Sequence, residues 1–568
     1  VDYKVVQADE SWFRENISCQ YACPVNTPAS SYIERIQEGE YDSALGLNYM
    51  ANLFPHILGR VCTHPCESAC RRGKIDEPVS ICSLKRVAAD FAEKEYPKNR
   101  LVAKTTGKRI AIIGAGPSGL AAGNDLSIMG HDVTIYEALP MAGGMLSVGI
   151  PPYRLPWNKI EGAVNWIKEL GIELKLNSPI SNSDEFEKLV DNYDAVYIAA
   201  GAHKSPELNI LGEDLGGVLH GITYMKDINL GRQQKVPSKV AVVGGGFTAI
   251  DCARSSLRLG AKEVFIIYRR TLKEMPAGEF EVSMAEEEAI KILYLTTPVK
   301  ISGNENAKVK AIECVKNKLG EPDASGRRRP EPVPGTEFTL SVDMVIAAIG
   351  QSPDTSFITE KSGVKFTKWG TIEVDADSFT TGRTGVFAGG DFMTGPRNAI
   401  EVIGDGRKAA KSIDKYLSGD KERTYDYFFK DQDPVRNDPG YESIPRQEQN
   451  SVQMDARWDI DKEVELGFSK EDASKEADRC LLCHYNIFID EKCILCGGCI
   501  DVCPHNCIEM ISRDKVDTED LPEGSIPDDW DAVMAIDEEK CIRCGLCVKR
   551  CPVDAIKMKR FSYAEAVV

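Results

Sequence analysis

Arg109 to Glu137, RIAIIGAGPSGLAAGNDLSIMGHDVTIYE, is the stretch on which the fold turns. The apolar run Ile110 to Ile113 has the character of a buried strand and leads directly into Gly114, Gly116 and Gly119. A helical segment opens at Pro117 and Ser118, and a second strand, Val133 to Tyr136, ends on Glu137. The first glycine permits a tight turn, the second lets backbone N–H groups approach a pyrophosphate, and the third lets helix and strand pack closely, with the helix N-terminus facing the phosphates. Glu137 is placed for a ribose hydroxyl. Spaced glycines alone are a weak signal, but in register with strand, helix, strand and acid they mark a dinucleotide-binding unit.

The pattern repeats at Lys239 to Arg270, KVAVVGGGFTAIDCARSSLRLGAKEVFIIYRR, with Gly244, Gly246 and Ala249, and with Phe247 and Thr248 opening the helix. Laying VTIYE on FIIYR puts Arg269 at the position of Glu137, with Arg270 beside it. An acid there repels a 2′-phosphate, whereas an arginine binds one through charge-assisted hydrogen bonds, which favours NADP(H) over NAD(H). The alternative is that both arginines face solvent. Gly350 closes the strand MVIAAIG, expected to return the chain to the first unit, and Gly320 to Gly335, GEPDASGRRRPEPVPG, has the composition of a solvated hairpin.

The chain holds 19 cysteines, most of them in tight groups towards its two ends. In a short secreted protein they would suggest disulfides; this spacing instead suits metal clusters in a reducing compartment. CILCGGCIDVCP (Cys493 to Pro504) and CIRCGLCVKRCP (Cys541 to Pro552) are two copies of C-x2-C-x2-C-x3-C-P. They resemble a two-cluster bacterial ferredoxin, in which the fourth cysteine of each run serves the other cluster. That resemblance assigns Cys493, Cys496, Cys499 and Cys551 to one cluster and Cys541, Cys544, Cys547 and Cys503 to the other. The amino-terminal cysteines, Cys19, Cys23, Cys62, Cys66, Cys70 and Cys82, lie in a region of helical periodicity. Their spacing alone fits either an iron-sulfur cluster or zinc.

The formal charge is -18 with 27% charged residues, which argues against nucleic acid and anionic membrane surfaces and suits docking to a basic protein surface. No apolar run approaches a membrane span, and the first thirty residues lack a signal-peptide pattern, so a cytoplasmic protein is expected.

A cysteine-bearing helical segment followed by these glycine motifs resembles the glutamate synthase small (beta) subunit family. The same resemblance extends to the flavin subunit of electron-bifurcating NADH-dependent ferredoxin:NADP oxidoreductase and to the amino-terminal part of dihydropyrimidine dehydrogenase. It makes the first unit an FAD site, with Gly114, Gly116, Pro117, Ser118, Gly119, Glu137, Gly144, Met145 and Gly201 as candidate contacts. The phrase TGVFAGGDFMTGPRNAIEVIGDGRKAA (Thr384 to Ala410) looks like the family's second flavin motif and adds Gly390, Asp391 and Ala399. The loops MAGGM (Met141 to Met145) and GIPPYRLP (Gly149 to Pro156) lie near the flavin in relatives, and EMPAGEFE is similar to a loop over the nicotinamide nucleotide.

Relatives open their cluster domain with a phrase like A-x-R-C-L-x-C. Here it occurs near the other end, as ADRCLLC (Ala477 to Cys483), which implies that the chain returns to complete the amino-terminal site. By the family pattern one cluster takes Cys19, Cys70, Cys480 and Cys483; the other takes Cys23, Cys62 and Cys66, with Cys82 as fourth ligand where relatives use Gln or Glu and this chain has Lys85 nearby. Cys252, Cys314 and Cys507 remain as inert thiols.

The expected fold is multidomain α/β, in the order helical 4Fe-4S domain 1–104, FAD domain 105–228, NAD(P)H domain 229–344, FAD domain continued 345–424, linker 425–485 and an α+β two-cluster ferredoxin domain 486–568. The resemblance implies a conduit between NADP(H), FAD and four [4Fe-4S] clusters, ending at ferredoxin or a partner subunit of a redox complex. Chemistry of this kind is carried by cofactors and needs no side-chain nucleophile. A bifurcating transhydrogenase is the leading reading and a glutamate synthase small subunit the second. A polyferredoxin-like scaffold is a third, disfavoured by the intact glycines and Asp391.

Overall fold

The computed structural model describes residues 3–4, 8–97, 100, 102–233, 235–323, 326–359, 362–419, 425–433, 443–517, 526 and 530–565. The chain divides into two compact units, Val1–Pro97 with Asp420–Gln449 and Gly467–Val568, and Lys98–Gly419 with Asn450–Leu466.

The second unit is built on two parallel five-stranded sheets. In the first, Arg109–Ile113 lies between Ala195–Ile198 and Asp132–Tyr136, with Val386–Ala388 and Glu173–Lys175 at the edges. Apolar runs such as Ile110 to Ile113 suit this position because helices cover both faces of a parallel sheet. In the other, Lys239–Val243 lies between Met344–Ala347 and Glu263–Ile267, flanked by Val218–His220 and Lys291–Leu293. Two boundaries therefore shift. Val218–His220 joins the second sheet ahead of residue 229, and Met344–Ala347 completes that sheet rather than returning to the first. The predicted hairpin forms between Val309–Pro322 and Arg328–Pro332.

In the first unit, the helices Ala29–Gln37, Tyr41–Ala51 and Ile81–Phe91 and the strands Tyr485–Ile489 and Ile556–Glu565 share one core. Tyr32, Ile33, Leu84 and Val87 pack in the same cluster as Ala473, Ala477, Ile487 and Met558. The helical and ferredoxin segments, expected as separate domains, are thus one packed body. The segment expected as a linker is also structured. Tyr425–Gln432 pairs antiparallel with Ile556–Glu565, Asn450–Ser451 pairs with Glu465–Gly467 in the other unit, and Lys470–Asp478 is a helix capped by Ser469. In the ferredoxin segment, Ile508–Ser512 pairs antiparallel with Ala532–Ile536. Residues 518–525 and 527–529 of that segment, and 434–442 of the expected linker, lie outside the described residues.

Candidate cofactor sites

Gly114 turns the strand Arg109–Ile113 into the helix Pro117–Ile128 at φ +106°, and a Cβ there would lie 2.4 Å from the Ala199 carbonyl oxygen. Gly119 packs equally tightly, since its Cβ would fall 2.0 Å from the Gly114 oxygen. Glu137 is buried, and burial raises its carboxyl pKa despite hydrogen bonds accepted from the Ala115 and Leu139 N–H groups at 2.7 and 2.8 Å. These bonds hold the carboxylate at the strand end.

The MAGGM loop folds back over this turn. Gly143 N–H donates to the Ala115 carbonyl at 2.8 Å, and Gly144 sits at φ +55° with its missing Cβ 2.8 Å from the Gly116 Cα. Met145 then begins the short helix Met145–Val148. Gly201 follows the strand Ala195–Ile198 at φ +69°.

The second flavin motif packs on the same helix. Ser118 Oγ is 2.7 Å from Tyr197 Oη, and the helix Ala399–Ser418 crosses closely enough that a Cβ on Gly406 would lie 2.2 Å from the Ser118 carbonyl. Gly390 N–H donates to Asp405, which is paired with Arg397, and Asp391 Oδ1 accepts from Arg397 N–H at 2.9 Å. Burial pushes the Asp391 carboxyl up to about 6. Backbone donors at a helix start, a cradle with no room for Cβ atoms and a buried acid at the strand end fit the pyrophosphate and ribose of FAD.

The second site has the same construction. Gly244 turns at φ +147° with its missing Cβ 2.2 Å from the Ala348 oxygen, and the helix Phe247–Arg258, with Thr248 and Ala249 in its first turn, is capped by Gly246. Gly350, at φ +135°, follows Met344–Ala347 as Gly201 follows its own strand. The loop at Met275 to Ala277 covers this turn as MAGGM covers the first: Ala277 N–H donates to the Gly245 carbonyl at 3.2 Å.

The strand register corrects the alignment of the two units. Gly114 N–H donates to the Tyr136 carbonyl and Gly244 N–H to that of Ile267, while Ile113 pairs with Tyr136 and Val243 with Ile267. Tyr268, not Arg269, therefore stands where the first unit has Glu137. Its ring covers the turn, 2.4 Å from where a Gly245 Cβ would be, and its hydroxyl donates to the Glu274 carbonyl at 2.6 Å. Matching VTIYE to FIIYR requires two extra residues in the second unit, whereas Gly260 to Val264 is only one residue longer than Gly130 to Val133. Arg269 is exposed one position further on. Arg270 is buried and committed to the hairpin, its Nε donating to the Arg328 carbonyl at 2.7 Å and Nη2 to Asp323 at 2.6 Å. Partial burial and the neighbouring charges of Arg270 and Arg327 lower the pKa of Arg269, so an anion at this edge of the sheet would relieve crowded positive charge.

The cysteines gather in the first unit. Cys19, Cys70, Cys480 and Cys483 line one cavity, with about 370 Å³ of empty space including its mouth. Lys85 is buried, and the nearby Cys62, Cys82, Cys66 and Cys23 raise its pKa against the cost of that burial. Cys82 donates to the Leu58 carbonyl at 3.1 Å, and its contact with Cys62 lowers the Cys62 thiol while its own is raised. Cys503, Cys541, Cys544 and Cys547 line another cavity, and Cys507, expected as an inert thiol, lines it with them. Cys493 and Cys496 raise the pKa of Cys499 after burial, which places these three together. Cys551 closes the helix Leu546–Arg550, which packs on Gly498–Asp501. Soft thiolates spread around cavities fit iron-sulfur clusters. Cys252 and Cys314 are buried in the second unit.

Two supporting groups carry no motif in the sequence. Arg479, fully buried, donates to Asp76, Glu476 and the carbonyls of Glu77, Pro78 and Ile444, while Arg72 donates to its carbonyl; this pins the residue before Cys480 beside the turn that follows Cys70. Arg154, in GIPPYRLP, pairs with Asp251 at 2.8 Å and with Glu281, and Tyr153 lies under the Arg258 guanidinium at 4.0 Å. That loop thus binds the helix of the second dinucleotide turn. An arginine between a helical run and a cysteine pair was the only hint of the first group.

Two dinucleotide folds with interlocking glycine turns define a two-domain flavoprotein of the pyridine-nucleotide type, joined in one chain to cysteine-rich cluster folds. The pyridine nucleotide-disulphide oxidoreductase profile matches residues 108–406, the profile of dihydropyrimidine dehydrogenase domain II, 4Fe-4S cluster, matches 5–96, and the 4Fe-4S dicluster domain matches 492–555. The chain is 42% identical over 499 residues to the NADP(+)-dependent formate dehydrogenase subunit beta of Moorella thermoacetica, covering 82% of this chain and 70% of that one. It is 39% identical to the NADPH-Fe(3+) oxidoreductase subunit beta of Geobacter sulfurreducens, covering 82% and 75%, and 33% identical to the glutamate synthase [NADPH] small chain of Escherichia coli, covering 72% and 91%. The chain belongs to the pyridine nucleotide-disulphide oxidoreductase family, as an NADP-dependent flavin and iron-sulfur member. Its cofactors are FAD, NADP(H) and 4Fe-4S clusters. Among the described residues no helix is long and apolar enough to cross a membrane.

Proposed function

We propose that this chain is the nicotinamide-linked subunit of a cytoplasmic redox complex, moving electrons between NADP(H) and a partner subunit or ferredoxin through FAD and four [4Fe-4S] clusters. The observation that carries this reading is the cavity lined by Cys19, Cys70, Cys480 and Cys483, a ligand set drawn from both ends of the chain in the unit that also holds the ferredoxin cysteines. Two of the relatives are beta subunits by name, and the same subunit role is proposed here.

Bound FAD supplies the conversion between hydride transfer and one-electron transfer. The protein's part is positional. Gly114, Gly116, Pro117, Ser118, Gly119, Gly144, Met145 and Gly201 form the cradle for its pyrophosphate and adjoining ring, Glu137 takes the ribose, and Gly390, Asp391 and Ala399 close the other end. Gly244, Gly246, Phe247, Thr248, Ala249 and Gly350 hold the nicotinamide nucleotide, with Arg269 at the 2′-phosphate. Cys19, Cys70, Cys480 and Cys483 hold one cluster, and Cys23, Cys62, Cys66 and Cys82 the second. Cys493, Cys496, Cys499 and Cys551 hold the third, and Cys541, Cys544, Cys547 and Cys503 the fourth. A bifurcating transhydrogenase is the finer form of this reading, since one flavin with several clusters allows two electron paths. The likeness to the Escherichia coli small chain favours electron input to a glutamate synthase as the second reading.

The test is anaerobic titration of the loaded protein with NADPH and, separately, NADH, followed by flavin absorbance and by the EPR signals of reduced clusters. NADPH is expected to bleach the flavin and bring up cluster signals. No response to either nucleotide would overturn the proposal.

A further inference from the structure

Cys507 differs from its counterpart in the other half of the ferredoxin segment. Cys503-Pro-His-Asn-Cys507 and Cys551-Pro-Val-Asp-Ala555 adopt the same local structure. In each, the backbone N–H four residues on donates to the leading sulfur, Cys507 to Cys503 Sγ at 3.4 Å and Ala555 to Cys551 Sγ at 3.3 Å. Asn506 and Asp554, at φ 49° and 52°, make the same left-handed turn. Only the first half carries a side-chain sulfur at that fifth position. Cys507 Sγ lies 3.3 Å from Cys503 Sγ, lines the same cavity as Cys541, Cys544 and Cys547, and is 4% exposed. It therefore sits among the sulfurs assigned above to one cluster.

We propose that Cys507 is not an iron ligand but a thiol donor to the ligand sulfurs of the cluster held by Cys541, Cys544, Cys547 and Cys503, and that it makes this cluster easier to reduce than the one held by Cys493, Cys496, Cys499 and Cys551. The inference rests on the ligand assignment proposed above. A four-iron cluster takes one cysteine per iron, so a fifth cysteine beside a complete set has no iron to bind. An S–H group aimed at a ligand sulfur stabilises the additional negative charge of the reduced state, and hydrogen bonds to the sulfurs are among the factors that set cluster potential. Ala555 offers the other cluster only the backbone donor. The asymmetry makes the Cys507 side of the segment the place where electrons collect.

The experiment uses the full chain, purified anaerobically, with iron and acid-labile sulfide measured per chain and midpoint potentials read by EPR-monitored titration. Cys507→Ala installs the residue of the other half. It is expected to keep the full iron content while one cluster shifts to lower potential, and Cys507→Ser, which retains a donor, is expected to stay near the wild type. Ala555→Cys should move the partner cluster upward, and it tests the idea independently if Cys507→Ala does not fold. Loss of about four irons in Cys507→Ala, with none lost in Cys503→Ala, would make Cys507 the ligand and overturn the proposal. Unchanged potentials in fully loaded Cys507→Ala and Ala555→Cys would overturn it equally. Wild-type protein without iron on this segment would instead remove the ligand assignment on which the inference stands.

Discussion

The Arg270 guanidinium donates to the Asp323 carboxylate at 2.6 Å, fastening the strand end of the second dinucleotide fold to the tip of the Val309–Pro332 hairpin. Arg270 is therefore occupied within the fold, and Arg269 is the exposed member of the pair. Arg269→Ala is expected to raise the KM for NADPH by roughly ten- to a hundredfold, the loss of one or two charge-assisted hydrogen bonds, with little change for NADH. Arg270→Ala should instead lower thermal stability. Steady-state reduction of an artificial acceptor with each nucleotide measures the first, and a melting curve the second; equal losses for NADPH and NADH in Arg269→Ala would remove it from the 2′-phosphate.

Gly144→Ala should empty the flavin site. The added Cβ would lie 2.8 Å from the Gly116 Cα, a backbone atom with no freedom to move, and the residue sits at φ +55°. Strain of about 1–3 kcal/mol would fall on the two loops that meet there. Flavin absorbance per chain after gel filtration is expected to drop to a small fraction of wild type while iron content holds.

The double variant Cys480→Ala, Cys483→Ala should lose one cluster. About sixteen irons per chain are expected in the wild type and about twelve in the variant. A wild type holding about eight, unchanged in the variant, would confine loading to the ferredoxin segment.

Stability should depend on pH through Asp251. Burial raises its carboxyl to about 6 in the fold, with Arg154 opposing the rise. A raised carboxyl pKa means stability is greatest below the unfolded value near 4 and is lost as pH climbs through about 6. Arg154→Leu removes the compensating charge and leaves Asp251 and Glu281 buried without it, a loss of about 3–5 kcal/mol. The gap between wild-type and variant melting temperatures is expected to widen from about pH 5 to about pH 8; a gap independent of pH would mean that packing, not charge, is what Arg154 supplies.

Much of this organisation was legible because its signals are local. Gly114, Gly116 and Gly119 answer steric demands within one turn, and the two C-x2-C-x2-C-x3-C runs answer the reach of a loop around a cluster, so both are written in consecutive residues. The return of Cys480 and Cys483 was legible only through a phrase displaced along the chain, and the buried partners that hold them, Arg479 with Asp76 and Glu476, had no pattern of their own. Tyr268 was missed because the alignment matched tyrosine to tyrosine. Strand register is set by which backbone groups pair, and only one extra residue precedes Val264, where matching the tyrosines requires two.

The sequence by itself determined the two dinucleotide folds, the ferredoxin halves and the cofactor class, since each depends on short-range backbone geometry and ligand spacing. Tertiary structure decided which cysteines share a cavity, which residue stands at the strand end of the second fold, and that the helical and ferredoxin segments have one core. It also placed Cys507 against Cys503 in the cavity that Cys541 lines. Those outcomes depend on hydrogen-bond register and on packing between residues hundreds of positions apart, where burial of side chains such as Arg479 and Ile487 brings together groups whose separation along the chain carries no periodic signal.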